Sequence, residues 1–161
     1  MFRAMRRSRQ AMPQEECAAV LERGSHGVLA LAGDGDYPYA VPISYVYTNR
    51  KLYFHCAKEG HKTDLLRHDS RVCITFVGAD EPAFVAPAMY TTYFQSAVVI
   101  GRASEVTDPE EKAQSLRALC RKLTPHDLGE GLEKAIEKSL SVTAVWRVSM
   151  DQVTGKAKLK K

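Results

Sequence analysis

The spacing of hydrophobic positions changes several times along the chain, and each change marks an element. In "PQEECAAVLERG", residues 13–24, Cys17, Val20 and Leu21 recur at helical spacing. Pro13 suits the first turn, Glu15 and Glu16 favour the positive helix end, and Gly24 suits a C-terminal cap. The pattern then shortens. "HGVLALA" reads as an apolar strand, "GDGD" as a turn, and "YPYAVPISYVYT" as a second strand. Pro38 and Pro42 cannot donate to a ladder, so this strand is expected to be interrupted or to lie at an edge. "TNRK" turns the chain, and "KLYFHCA" returns as a third strand.

A helix is predicted over about residues 61–69, followed by the strand "RVCITFVG". "EPAFVAPAMY" carries two prolines and fits neither template. "YFQSAVVIGRASEVT" is a long strand in which Gly101 predicts a bulge or bend. Asp108, Pro109 and Glu111 form a helix start, and helical spacing persists to about Leu140 with a break at Thr124-Pro125. Leu116, Leu119 and Leu123 form its apolar stripe, and "SVTAVWRVSM", with Trp146, is the last core strand. Six or seven antiparallel strands with Gly and Pro corners predict a mainly β fold, a closed barrel with flanking helices.

Length and composition agree with one domain over residues 1–161. The chain is 45% hydrophobic and 26% charged, enough to bury a core without staples. No apolar run approaches the roughly 20 residues of a membrane helix. The net charge of +4 is concentrated at the ends, in a basic arm (residues 1–12) and a basic tail (residues 155–161), both expected to be solvated. The arm lacks the apolar core of a secretory signal. No aromatic-basic interleaving points to nucleic acid. Cys17, Cys56, Cys73 and Cys120 form no CxxC pair, which argues against disulfides and zinc and fits a reducing cytoplasm. Cys56 and Cys73 are expected as small buried hydrophobes. His26, His68 and His126 have no ligand spacing, and no metal site is predicted.

The junction "YFHCAKEGHKTDLLR", residues 53–67, carries the candidate chemistry. A helix start offers unpaired N–H groups and partial positive charge. Gly60 lets a ligand approach the backbone, while His61 and Lys62 add a donor and a cation. A phosphate cradle and a solvated basic loop both fit these residues alone. His55, at the end of the preceding strand, reads either as an acid-base group or as a structural imidazole bonded to a carbonyl.

Together, "YAVPISYVY", "KLYFHCAKEGHKTDLLRHDSRVCITFV", "YFQSAVVIGRASEV" and the late "VTGKA" resemble the pyridoxamine 5′-phosphate oxidase-like flavoproteins, in particular their nitroimidazole-resistance (Nim-type) branch. The resemblance implies an FMN-binding split barrel that works as a homodimer with FMN at the subunit interface. It assigns Ala40, Val41, Pro42, Ile43 and Ser44 to the flavin ring edge, His55 and Cys56 to the ring and ribityl chain, and His61 and Lys62 to the phosphate. Ser96 stands where the oxidases use Gln, and Tyr39 where they use Arg. Tyr90, Tyr93 and Phe94 are expected at the dimer interface. "TGKAKLKK" lacks the C-terminal pattern that binds vitamin phosphate, which argues against a vitamin B6 oxidase. The implied activity is reduction of a small nitroaromatic-like acceptor by a flavin reduced from a nicotinamide donor, with His55 as the candidate catalytic residue. The alternative is a non-catalytic module that carries flavin or haem. Neither nucleic acid nor membrane is expected as a partner.

Overall fold

The structure, a computed structural model, describes residues 3–126 and 128–160. In chain order the elements are α1 (Gln14–Arg23), β1 (His26–Leu31), β2 (Tyr39–Thr48), β3 (Lys51–Ala57), α2 (His61–His68), β4 (Arg71–Val85), β5 (Met89–Glu105), α3 (Pro109–Leu123), α4 (Leu132–Leu140) and β6 (Thr143–Lys158). The six strands close into an antiparallel split barrel in the order β1-β2-β3-β6-β5-β4. None of the described helices is long and apolar enough to cross a membrane.

Alternation along the strands divides the apolar residues between two cores. Leu52 and Phe54 on β3 point inward with Tyr45, Phe76, Trp146 and Val148. Tyr53 and Val145 point outward and are covered by Leu116 and Leu119 of α3 and Ile136 of α4. Asp108 caps α3, its side chain accepting the Glu111 N–H at 2.7 Å. The Glu111 carboxylate then accepts from Tyr53 Oη (3.0 Å) and Arg147 Nη1 (2.9 Å), which ties α3 to β3 and β6. α1 is held at its C-terminal end, where Tyr45 Oη donates to Leu21 O at 2.7 Å. Lys122 Nζ donates to the same carbonyl and lies 3.9 Å from the Tyr45 ring centroid; burial lowers its pKa to about 8.

Both prolines of the ambiguous segment find places that an uninterrupted ladder would deny them. β4 continues through Pro82 as one arm of a long hairpin with β5, and Ala86-Pro87 lies in the turn. Pro82 pairs with β5 on one side and has no strand on the other. Pro42 is placed in the same way. Residues 39–44 of β2 pair with β1, and β3 joins only from Tyr45 onward, so the strand is continuous but half of it is an edge. The register shifts between Ile100 and Gly101, where Gly101 predicts a bulge.

Three expectations need correction. Residues 155–158 are the last turn-free stretch of β6, not a solvated tail. Gly155 and Ala157 face the core there, while Lys156 and Lys158 alternate with them, so the period is two but its inward residues are too small to register as hydrophobic. The basic arm is docked at its end: Ala11 bridges to Lys156, and Met12, 8% exposed, donates its N–H to Gly155 O at 2.9 Å. Gly155 makes this close approach feasible, since a Cβ on it would sit 2.4 Å from Cys17 Sγ. Among the cysteines, Cys17 is fully buried, whereas Cys56 and Cys73 are half-buried.

Candidate functional site

The outer face of β2 and β3 meets the first turn of α2 at the open β2 edge. Ala40, Pro42 and Ser44 face outward and are exposed. The side chains of Val41 and Ile43 face the barrel interior, so only their backbone groups are available along the edge. With no β3 partner between Tyr39 and Ser44, alternate N–H and C=O groups of this stretch are free for another molecule.

Gly60 precedes α2 with φ +129°, a conformation that L side chains rarely adopt. No atom lies within 4 Å of where its Cβ would be, so backbone conformation rather than crowding requires glycine, and the space before the helix is open. Its carbonyl accepts from Asp64 N–H (3.0 Å) and Thr63 Oγ1 (2.6 Å), which fixes the turn. The N–H groups of His61, Lys62 and Thr63 are the unpaired amides at the helix start.

Lys62 is half-buried and has no salt-bridge partner among the described residues, whereas nearby Arg67 and Arg71 are paired with Glu105 and Asp69. His61 is held by the β1–β2 loop: its Nε2 lies 3.5 Å from Asp34 Oδ1, and its ring meets that of Tyr39 edge-on at 4.8 Å. Lys58, exposed on the other side of Gly60, adds a second cation that the sequence reading passed over. Its signal was in the sequence, since "AKEGHK" sets lysines on both sides of the glycine.

His55 and Cys56 do not share a surface. His55 faces outward, and its ring makes no hydrogen bond to any described residue, so it is not the carbonyl-bonded structural imidazole. Desolvation, then the charge of Lys62, lower its pKa from the usual 6.5. Cys56 faces the barrel interior near Trp146. Burial raises its thiol pKa, against Lys62, the Trp146 indole N–H and Arg67. That N–H is close enough to favour the thiolate, yet it completes no hydrogen bond of normal geometry and is left as a buried orphan donor. Ser96 is on β5, paired with Val77 and Lys156, and in the barrel order β5 is separated from β2 by β4 and β1. One chain therefore brings Ala40, Pro42, Ser44, His55, His61 and Lys62 to one region and leaves Ser96 apart.

The sequence profile of the pyridoxamine 5′-phosphate oxidase family matches residues 13–157. The chain belongs to this family. An uncharacterized protein of Rhizobium meliloti (strain 1021) is 28% identical over 155 residues, covering 92% of this chain and 94% of that one. Among solved structures, a candidate 5-nitroimidazole antibiotic resistance protein from Bacteroides thetaiotaomicron VPI-5482 is 26% identical, with a TM-score of 0.77 over 91% of this chain and 85% of that chain. The flavocytochrome Anf3 from Azotobacter vinelandii has a TM-score of 0.81 over 98% of this chain and 73% of that one; at 21% identity it shares the fold. The split barrel of the family and the closed six-stranded order found in this chain agree.

Proposed function

We propose that this member of the pyridoxamine 5′-phosphate oxidase family is an FMN-binding oxidoreductase that works as a homodimer. It reduces a small nitroaromatic-like acceptor with electrons from a nicotinamide donor. The observation that carries the reading is Lys62, an ammonium with no salt-bridge partner among the described residues, in the first turn of a helix that begins at a positive-φ glycine with open space around its missing Cβ. Helix amides and one free lysine suit a single terminal phosphate.

The rest of the region fits a flat ring. Ala40 and Pro42 present small side chains, the open edge of β2 supplies backbone hydrogen bonds, and Ser44 adds a hydroxyl. When bound, the flavin supplies the hydride chemistry. The chain's own part is to hold the phosphate at Lys62, fix the ring plane along β2, and hold or pass a proton at the His55 ring. An imidazole with no hydrogen bond to a described residue and a pKa lowered by burial and by Lys62 is suited to that task. The likeness to the candidate 5-nitroimidazole resistance protein supports a nitro acceptor.

Two features support the dimer. The outer barrel face exposes apolar residues, with Val28 at 43% and Val77 at 66%, and the β4–β5 hairpin exposes Phe84 and Tyr90. Ser96 on β5 has two strands between it and β2 around the barrel of one chain, and a partner's copy would bring it to the same flavin. Sedimentation of the yellow protein and NAD(P)H oxidation on addition of a nitro compound test the reading together. A flavin-bound monomer contradicts the dimer, and bound flavin without turnover contradicts the activity. The His55 imidazole would also be the residue to hold a haem, and a Soret band in the purified protein would favour that carrier reading.

A further inference from the structure

A cavity of about 160 Å³ lies behind His55, between the barrel wall and the helices that cover it. Leu116 and Leu119 of α3 and Ile136 of α4 are buried and form its apolar floor. His55 and Ala135 are its exposed wall residues and mark its mouth. The Ser139 hydroxyl on the same wall already donates to Ala135 O at 2.8 Å. Cys120 and Thr143 complete the lining, and at the exposed mouth the His55 ring is the polar side chain, with no hydrogen bond to a described residue.

Size and polarity decide what such a cavity holds. A water needs two to four polar partners, and a dry apolar cavity of about 150 Å³ takes one benzene-sized ring. Two fused rings would have to fill it beyond the roughly 0.75 packing density of a protein interior, and a dinucleotide exceeds its volume several times. A cation is disfavoured by Lys62, whose charge already acts on His55. From these limits we infer that the cavity is a binding pocket for one uncharged, single-ring aromatic molecule whose polar substituent hydrogen-bonds to the His55 ring at the mouth.

This inference rests on the flavin reading for one point only, the use of the bound molecule as acceptor. His55 belongs both to the pocket and to the outer face of β3, so a ring in the pocket sits against the proposed flavin site while the nicotinamide donor must approach from the open side. The pocket thus separates the two substrates by size.

The test uses phenol and 2-naphthol as redox-inert probes, read by the His55 ring resonances of the purified protein. Phenol is expected to shift those resonances saturably, and 2-naphthol to leave them in place. Ala135→Leu and Ser139→Leu fill the pocket from its α4 side, and each is expected to weaken phenol by at least about tenfold while FMN affinity stays within about twofold. An unmoved His55, equal binding of 2-naphthol, or phenol affinity unchanged in both variants overturns the pocket. A parent protein that takes phenol but no FMN counts against the flavin reading and not against the pocket.

Discussion

His55 and Cys56 are consecutive on β3 and face opposite sides of the barrel wall, His55 toward the open face beside Lys62 and Cys56 toward Trp146. Their substitutions should therefore separate. Cys56→Ala removes a half-buried sulfur and is expected to cost about 1 kcal/mol, a fall in Tm of roughly 2–4 °C for a chain of this size, with FMN affinity unchanged. His55→Gln should leave Tm nearly unchanged and lower acceptor reduction by roughly 10²-fold. Thermal melts and stopped-flow oxidation of the reduced flavin, run on both variants, check the separation.

The His55 pKa is lower in the folded chain than in the unfolded one, first through desolvation and then through Lys62. Between those two values the unfolded chain binds more protons. The contribution to stability is therefore complete above the usual 6.5 and is lost as pH falls through it toward the folded value. Lys62→Ala should raise the His55 pKa toward normal, and so should inorganic phosphate bound at Lys62. Titration of the His55 ring by NMR reads both shifts; an unmoved pKa in Lys62→Ala would show that the two groups are not coupled.

Asp34 stands 3.5 Å from His61, at the turn proposed to hold an anion. Its carboxylate opposes phosphate there and occupies His61. Asp34→Asn is expected to tighten FMN binding by about twofold to fivefold, within the range of a surface charge at a helix start, and the gain should shrink in high salt. Fluorescence titrations at two ionic strengths measure it.

Gly60→Ala isolates the backbone. Open space surrounds the site of the new Cβ, so no clash arises, but φ +129° is strained for alanine by about 1–3 kcal/mol. A loss of stability of that size is expected in denaturant melts, accompanied by weaker FMN binding because the α2 amides are displaced. Retained stability and affinity would mean that the loop relaxes without consequence for the site.

Much of the barrel was legible because its signals are local. The Asp108-Pro109 start, the Gly101 bulge and the alternation of Leu52 and Phe54 are all written in short windows. What escaped depends on contacts distant in sequence. β6 ran on past the expected tail because Gly155 and Ala157 face the core beneath Met12 and Cys17, packing that no window around residue 155 reveals. In the site, the glycine loop and Lys62 could be read directly from "EGHK". Alternation on β3 already implies opposite faces for His55 and Cys56, yet which face carries the site is set by the edge of β2, and the Asp34–His61 contact by a loop more than twenty residues upstream.

The first turn of α2 is proposed to hold the flavin phosphate. Comparing FMN with riboflavin, which lacks the phosphate, on the parent protein and on Lys62→Ala tests it most directly. The parent is expected to bind FMN more tightly than riboflavin by at least about tenfold, since a charge-assisted contact is worth roughly 1.5–3 kcal/mol. Lys62→Ala should lose most of that preference while its riboflavin affinity stays the same. Equal affinity of the parent for the two flavins, or an undiminished FMN preference in Lys62→Ala, would contradict it.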